Sequence, residues 1–232
     1  MNKYKILEGQ YIEVCGKKLY RIQALKDFKG VKSGDIGGYI EKESNLSQSG
    51  NAWVCDDALV YGNARVYGNA LVSDDAQVYG NVLVYGNALV SDDAQVYGNA
   101  RVSDDAQVYG YALVCSNAWV SGNALVYGNA RVSDDAWVFG NALVCGNAQV
   151  YGTRHYLNLG PIGSRYGYTT IYRDKTKKAI VVCGCFLGSL DEFERAVHKT
   201  HAGTKHEAEY MALIQLARLR EKEWLENGRD ST

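Results

Sequence analysis

NARVYGNALVSDDAQVYG, residues 63–80, holds three consecutive hexads of the form N/D-A-x-V-Y/S-G/D, and the same pattern runs without insertion or deletion from Asn51 to Gly152. In every hexad but NVLVYG (81–86), where Val82 replaces the alanine, Ala and Val stand two apart, so in an extended segment they face the same side, which makes them the inward pair. The residue between them faces outward. Gly or Asp followed by Asn or Asp then makes a corner, because these residues best tolerate a left-handed backbone. A strand of about three residues and a turn, repeated every six, is a parallel β-helix.

The spacing also carries a resemblance. An aliphatic residue followed four positions later by a small one (Val54 then Ala58, Val60 then Ala64) resembles the hexapeptide-repeat, left-handed β-helix family. That resemblance covers residues 51–152. It implies a triangular solenoid with three hexads per coil, about six coils in all, at the strand spacing of ~4.8 Å. The fold class expected is therefore mainly β, with a β-hairpin cap over 1–50, the solenoid over 51–152 and a ββαα domain over 153–232.

An 18-residue register sorts the outward residues into three faces. The first carries Trp53, Leu71, Leu89, Gln107, Leu125 and Leu143, the second Leu59, Gln77, Gln95, Leu113, Arg131 and Gln149, the third Arg65, Leu83, Arg101, Trp119 and Trp137. The first is apolar at all but Gln107, and such a stripe calls for a cover. A terminal segment of the same chain, a second subunit or a foreign protein would each serve. Asp56–Asp57, Asp74–Asp75 and Asp92–Asp93 recur 18 apart and stack on one edge. Asp is a good turn former, so a solvated edge is preferred over a cation ladder. Tyr61, Tyr79 and Tyr97 should stack as an aromatic ladder beside it.

Between Asn51 and Gly152 there are ten Asp, three Arg and no Lys or Glu, a balance of −7 inside a chain of net charge −1. An acidic middle argues against a nucleic-acid coat. No apolar run approaches the ~20 residues of a membrane span, and MNKYKILEG lacks a signal-peptide core. Six scattered cysteines do not form a disulfide framework, which makes the cytoplasm the expected compartment.

At the N-terminus, YIEVCG and KLYRIQAL read as a hairpin around a Gly-Lys-Lys turn, and GDIGGYIEKESNLSQSGNA leads into the coils. This lead-in resembles the N-terminal segment of bacterial and prophage repeat proteins, some of them named as transferases. After Gly152, YTTIYRDKTKKAIVVCGCF reads as two strands around Asp-Lys-Thr-Lys, with Cys183 and Cys185 pointing the same way. Two helices follow, each opened by a capping box: Ser189 with Glu192, and Thr204 with Glu207. The second has apolar Met211, Ile214, Leu216, Leu219 and Leu225 and stops at Gly228. The string GPIGSRYGYTTIYR…CGCFLGSLDEF resembles a module of prophage-encoded repeat proteins, a likeness that brings no activity with it.

The hexapeptide-repeat resemblance implies acyl transfer, in which a coil histidine serves as general base. These coils have none: the histidines are His155, His198, His201 and His206. Acyl transfer is therefore the alternative rather than the expectation. A Cys183/Cys185 and His198/His201 zinc set matches no familiar spacing, and a Cys185–His201 nucleophile pair is unspecific. Neither a catalytic residue, a metal nor a cofactor is assigned. Ser164, Arg165, Thr169, Thr170 and Arg173, with His201, could bind a small anionic ligand, while Gly163 and Gly167 let backbone amides approach. The expected function is a non-enzymatic scaffold or binding protein with a protein partner. The prophage likeness points to a phage origin and to a host defence factor that the protein inhibits or sequesters.

Overall fold

A computed structural model describes residues 2–226. Seventeen short strands, one per hexad, run from Trp53–Val54 to Gln149–Val150. They pair in parallel with a constant offset of 18, as in Leu71 with Leu89 and Gln77 with Gln95, and so line three sheets. The result is a β-solenoid of about six coils. Inward Ala and Val side chains are closed off from solvent from Ala52 to Val150. A small and a branched residue alternating across three short walls fill a narrow interior without voids.

Each corner solves the same problem: one residue must adopt positive φ. Gly68 (φ +72°) and Gly86 (φ +73°) do so on one edge, and Asp56, Asp74 and Asp92 (φ +55°, +59°, +56°) on another. At Gly86 a Cβ would stand 2.7 Å from the Asp104 nitrogen of the next coil, so this position also needs the space.

The N-terminal hairpin pairs Tyr4–Val14 with Lys17–Ala24. Its turn is Cys15–Gly16, both at positive φ, rather than Gly-Lys-Lys. Two adjacent left-handed residues match the twist of the flanking strands better than the lysines would. A third strand, Ile36–Ile40, lies in the segment read as a lead-in. It pairs antiparallel with the hairpin and parallel with Leu59–Gly62, so the second face grows to nine strands. Leu46 bridges Val66, so residues 36–50 supply part of an extra coil before the first hexad. Inside the cap Lys3 is wholly buried, its ammonium donating to the Ala52 carbonyl at 2.7 Å and lying 5.3 Å from the Phe28 ring.

The C-terminal part holds four antiparallel strands, not two: Tyr156–Ile162, Gly167–Arg173, Ala179–Cys183 and Phe186–Ser189, in that order. The stretch AIVVCGCF is broken into two of them, because Cys183 pairs with Phe186 across Gly184 (φ +59°) and Cys185. Cys183 and Cys185 are thus not two positions along one strand. Cys183 ends a strand and Cys185 sits exposed in the turn.

Helix α1 (Leu190–His201) opens with the Ser189–Glu192 capping box in full. Helix α2 (Lys205–Glu226) forms half of the second box. Thr204 accepts the Glu207 amide, but the Glu207 carboxylate takes the Gly203 amide and the His198 ring instead. The buried stripe of α2 runs through Tyr210, Leu213, Ile214, Ala217 and Trp224. Of the apolar residues read in sequence, Ile214 is buried and Met211 packs against this core, whereas Leu216, Leu219 and Leu225 are exposed and Tyr210, Leu213, Ala217 and Trp224 take their place. The expected stop at Gly228 lies outside the described residues.

The four-stranded sheet closes the solenoid. Thr170 accepts the Leu143 amide at 2.9 Å, and the Tyr172 hydroxyl lies 3.3 Å from the Cys145 sulfur. Helix α2 is tied to the same junction by Trp224, whose indole donates to the Arg154 carbonyl, and by Glu221, which accepts the Ala179 amide.

Candidate functional site

Corner side chains are the most numerous polar groups of the coils, and nearly all are spent on the coils themselves. The Asp56 carboxylate accepts the Asp74 amide, Asp74 accepts that of Asp92, and Asp92 that of Gly110. The first Asp of these three pairs, like Asp104, therefore caps a backbone donor one coil further on. Asn side chains form ladders alongside: Asn51 donates to Asn69, Asn69 to Asn87, and Asn87 to Asp105, at 2.9–3.1 Å. The second carboxylates, Asp57, Asp75 and Asp93, point to solvent, with Asp57 paired to Arg21 at 2.6 Å.

The tyrosine ladder forms as expected, with ring centroids 5.0 and 5.2 Å apart for Tyr61–Tyr79 and Tyr79–Tyr97. It stands at the far end of the second-face strands from the Asp column rather than beside it, since a whole strand separates Asp57 from Tyr61. On the third face Trp119 and Trp137 stack at 5.0 Å, each indole nitrogen donating to a serine hydroxyl, Ser103 and Ser121.

The first-face stripe has different fates along its length. Trp53 is buried under Tyr4 and Phe28 of the cap. Leu71 and Leu143 pack partly against the core cluster to which the two terminal parts contribute. Leu89 and Leu125 are half-buried, and Gln107 between them is exposed.

The residues proposed to hold an anion are separated. The strand Gly167–Arg173 is buried on both sides from Thr169 onward, and its period of two divides them. Thr170 and Tyr172 face the solenoid end, Thr170 bonding Leu143 and Asn158. Thr169 points the other way and donates to Cys183 Sγ at 3.1 Å. Arg173 is buried, its guanidinium 5.4 Å from the Tyr151 ring. The Gly163 amide is also committed, donating to the Glu209 carboxylate at 2.9 Å and holding that carboxyl below the usual range. The stretch YTTIYR is a strand, as its sequence reads, and a strand inside the sheet buries these side chains on two faces instead of gathering them on one ligand.

Ser164, Arg165 and His201 do come together. They line a cavity of about 290 Å³ between the strand turns and the two helices. Its walls are Tyr168, Phe186, Phe193, Val197 and Tyr210, with Cys183 and Cys185 at the turn. Tyr210 fixes one wall: its hydroxyl occupies the place a side chain at residue 163 would take, 1.9 Å from an ideal Cβ, so Gly163 (φ +70°) is required there. Burial, and then the neighbouring Cys183 thiol, push the Tyr210 hydroxyl up to about 12, so it stays a neutral donor. The His201 ring lies 5.5 Å from that of Tyr210. Arg165 makes no ion pair or hydrogen bond to any described residue, which leaves its guanidinium available at the rim. Among the described residues no three His, Cys, Asp or Glu side chains gather as metal ligands. Sequence spacing could not find the aromatic walls, which come from two strands and two helices.

Comparison with known proteins bears on the coils. Residues 64–77, 76–92, 94–110, 118–134 and 124–139 match a family model described as YdcK Beta solenoid repeat. A protein of Escherichia coli (strain K12) named "Uncharacterized acetyltransferase YdcK" is 40% identical over 72 residues, which are 28% of this chain and 22% of that protein. The match thus leaves most of that relative's length without a counterpart here. No described helix is long and apolar enough to cross a membrane. The chain is a β-solenoid repeat protein, similar in part of its length to a protein named as a transferase.

Proposed function

We propose that this is a binding protein in which a rigid solenoid carries a C-terminal ligand site, and that its coils do no chemistry. One observation carries the reading: an apolar cavity of about 290 Å³ has at its rim the guanidinium of Arg165, which bonds no described residue. Concave aromatic pockets with a few placed polar groups are where small ligands bind. The ligand that fits is compact, with an aromatic or branched apolar body and a carboxylate or similar anion. Arg165 would bind the anion, Tyr210 would donate a hydrogen bond, and Phe186 and Phe193 would enclose the body.

The printed name of the E. coli relative favours a second reading, acetyl transfer. The coils offer it no histidine, so a base would have to be His201 in the same cavity. One panel separates the two. Compact aromatic carboxylates and their amide analogues are titrated by ligand-observed NMR, and acetyl-CoA is incubated with the protein and a panel of primary-amine and hydroxyl acceptors while free thiol and acetylated acceptor are followed. Carboxylate-selective binding, weakened roughly 10-fold or more by Arg165→Ala as expected for a lost charge-assisted pair, supports the binding reading. Binding that ignores Arg165→Ala and the carboxylate defeats it. Acceptor-dependent thiol release, matched by acetylated acceptor and lost in His201→Gln, would replace it with acetyl transfer.

A further inference from the structure

The first-face stripe contains a pattern that the other two lack. With Trp53 covered by the cap, the rest of the column, half-buried at its four leucines and exposed at Gln107, reads Leu71, Leu89, Gln107, Leu125, Leu143, a palindrome about Gln107. A two-fold interface is self-complementary, because each residue meets its symmetry mate or that mate's equivalent. A column that reads the same in both directions can lie antiparallel against itself. Leu71 then meets Leu143 of the other copy, Leu89 meets Leu125, and the two Gln107 amides face each other, each able to donate and accept.

Two independent features agree with an axis through this coil. Tyr111 replaces the usual corner Asn or Asp on the coil that carries Gln107, and it is 67% exposed. An axis along the Gln107 strand brings the Tyr111 residues of both copies to the same side of the interface. The same operation lays the acidic corners of the second and third coils against the corners of the fifth and sixth, which present Asn129 and Asn147. Asp92–Asp93 therefore meets amide donors rather than carboxylates. Alignment with coils parallel would instead put the lysine-bearing loops of the two caps (Lys26, Lys29, Lys32) side by side, a like-charge contact.

We infer that the first face is the interface of a two-fold, antiparallel homodimer centred on Gln107. Five coils at ~4.8 Å and a face about five residues wide offer roughly 400 Å² per partner, below the ~800 Å² of a standard interface. The dimer is therefore weak, and its population must rise with concentration in the range of about 5–500 µM.

The test uses full-length protein with the two exposed cysteines removed, Cys15→Ser and Cys185→Ser. Into it go Gln107→Cys, Tyr111→Cys, Leu89→Cys or Leu125→Cys, all outward positions that leave the core intact. With a short bismaleimide, Gln107→Cys and Tyr111→Cys each cross-link to dimer. Leu89→Cys alone does not, while Leu89→Cys mixed with Leu125→Cys does. Light scattering should show an average mass that rises with concentration, and Leu89→Glu with Leu125→Glu should remain monomeric with an unchanged circular dichroism spectrum. Self-cross-linking of Leu89→Cys as strong as the mixed pair overturns the antiparallel arrangement. A constant monomer mass over the whole range overturns the dimer and leaves the stripe to another protein.

Discussion

Asp74 provides the sharpest test of how the corners work. Its φ is +59°, its carboxylate accepts the Asp92 amide at 3.3 Å and the Ser73 hydroxyl at 2.8 Å, and its own amide points to Asp56. Three substitutions divide these roles. Asp74→Ala loses the acceptor, about 1–1.5 kcal/mol at a solvated edge, and leaves a Cβ in the left-handed region without compensation, about 1–2 kcal/mol more. A total near 2–3 kcal/mol is expected. Asp74→Gly loses the same acceptor but relieves the strain, at the cost of a more flexible unfolded chain, so it should lose only about 1–2 kcal/mol. Asp74→Asn keeps an acceptor and tolerates the backbone while removing the charge. Carboxylates ~5 Å apart in water repel by about 0.8 kcal/mol per pair, and Asp74 has two such neighbours. Salt at ~0.15 M roughly halves that term, while a charged acceptor is worth about 1 kcal/mol more than a neutral one. Asp74→Asn should therefore be slightly stabilising at low salt and slightly destabilising near ~1 M. Urea unfolding followed by circular dichroism, with the m-value checked for constancy, reads all three. Equal midpoints for Ala and Gly, or an Asn effect indifferent to salt, would refute this division of roles.

Two other predictions concern the ends. Burial, with some help from Lys26, lowers Lys3 to about 8 from an unfolded value of 10.5. Between those values the unfolded chain binds more protons, so this group makes stability rise with pH from about 8 toward 10.5 and contributes no slope below 8. Unfolding midpoints taken from pH 7.5 to 9.5, below the tyrosine range, should climb in the wild type relative to Lys3→Met; parallel curves would show that the buried ammonium is not the source. Trp224 is 3% exposed, and Trp224→Ala should cost about 3–5 kcal/mol locally by leaving a cavity and an unpaired Arg154 carbonyl. Limited proteolysis should then cut within residues 205–226 while the coils resist, and cutting spread evenly along the chain would contradict that partition.

The coils were legible because every core contact repeats at an offset of 18, so that one hexad describes its neighbours. Alternation placed Ala and Val inside, and the register placed Trp53, Leu71 and Leu89 in one column, as the pairing confirms. The ends were not legible in this way. Lys3 meets Ala52, Arg154 meets Glu223, and Trp224 meets Arg154, separations of 49, 69 and 70 residues that no local period encodes. Ile36–Ile40 escaped because Gly37 and Gly38 break its apolar pattern. They are there because a Cβ on Gly37 would strike Ile22, Trp53 and the Val54 carbonyl at 2.6 Å. The cavity shares this character: its polar groups Ser164, Arg165 and His201 could be nominated by residue type, but its walls depend on how α1 and α2 lie on the sheet.

The uniformity that made the fold readable also confines function to departures from it. An Asn rung donates one amide hydrogen to the oxygen of the next coil, so each ladder has a direction. An Asp can accept from the rung before it but cannot donate to the one after. Asn63, Asn81, Asn99 and Asn117 accordingly lead to Asp135, as Asn51, Asn69 and Asn87 lead to Asp105, and each ladder ends there. Most Asp residues in the coils thus have a structural task, either capping an amide or closing a ladder. Among the described hydrogen bonds the exceptions are Asp57, Asp75, Asp93 and Asp134; Asp57 pairs with Arg21, and Asp75 and Asp93 face water on the edge that also carries Tyr111. Acidic composition alone would spread the electrostatic signal over ten residues. Three of the four carboxylates outside these hydrogen bonds, Asp57, Asp75 and Asp93, lie on one edge of the first face, beside the apolar stripe.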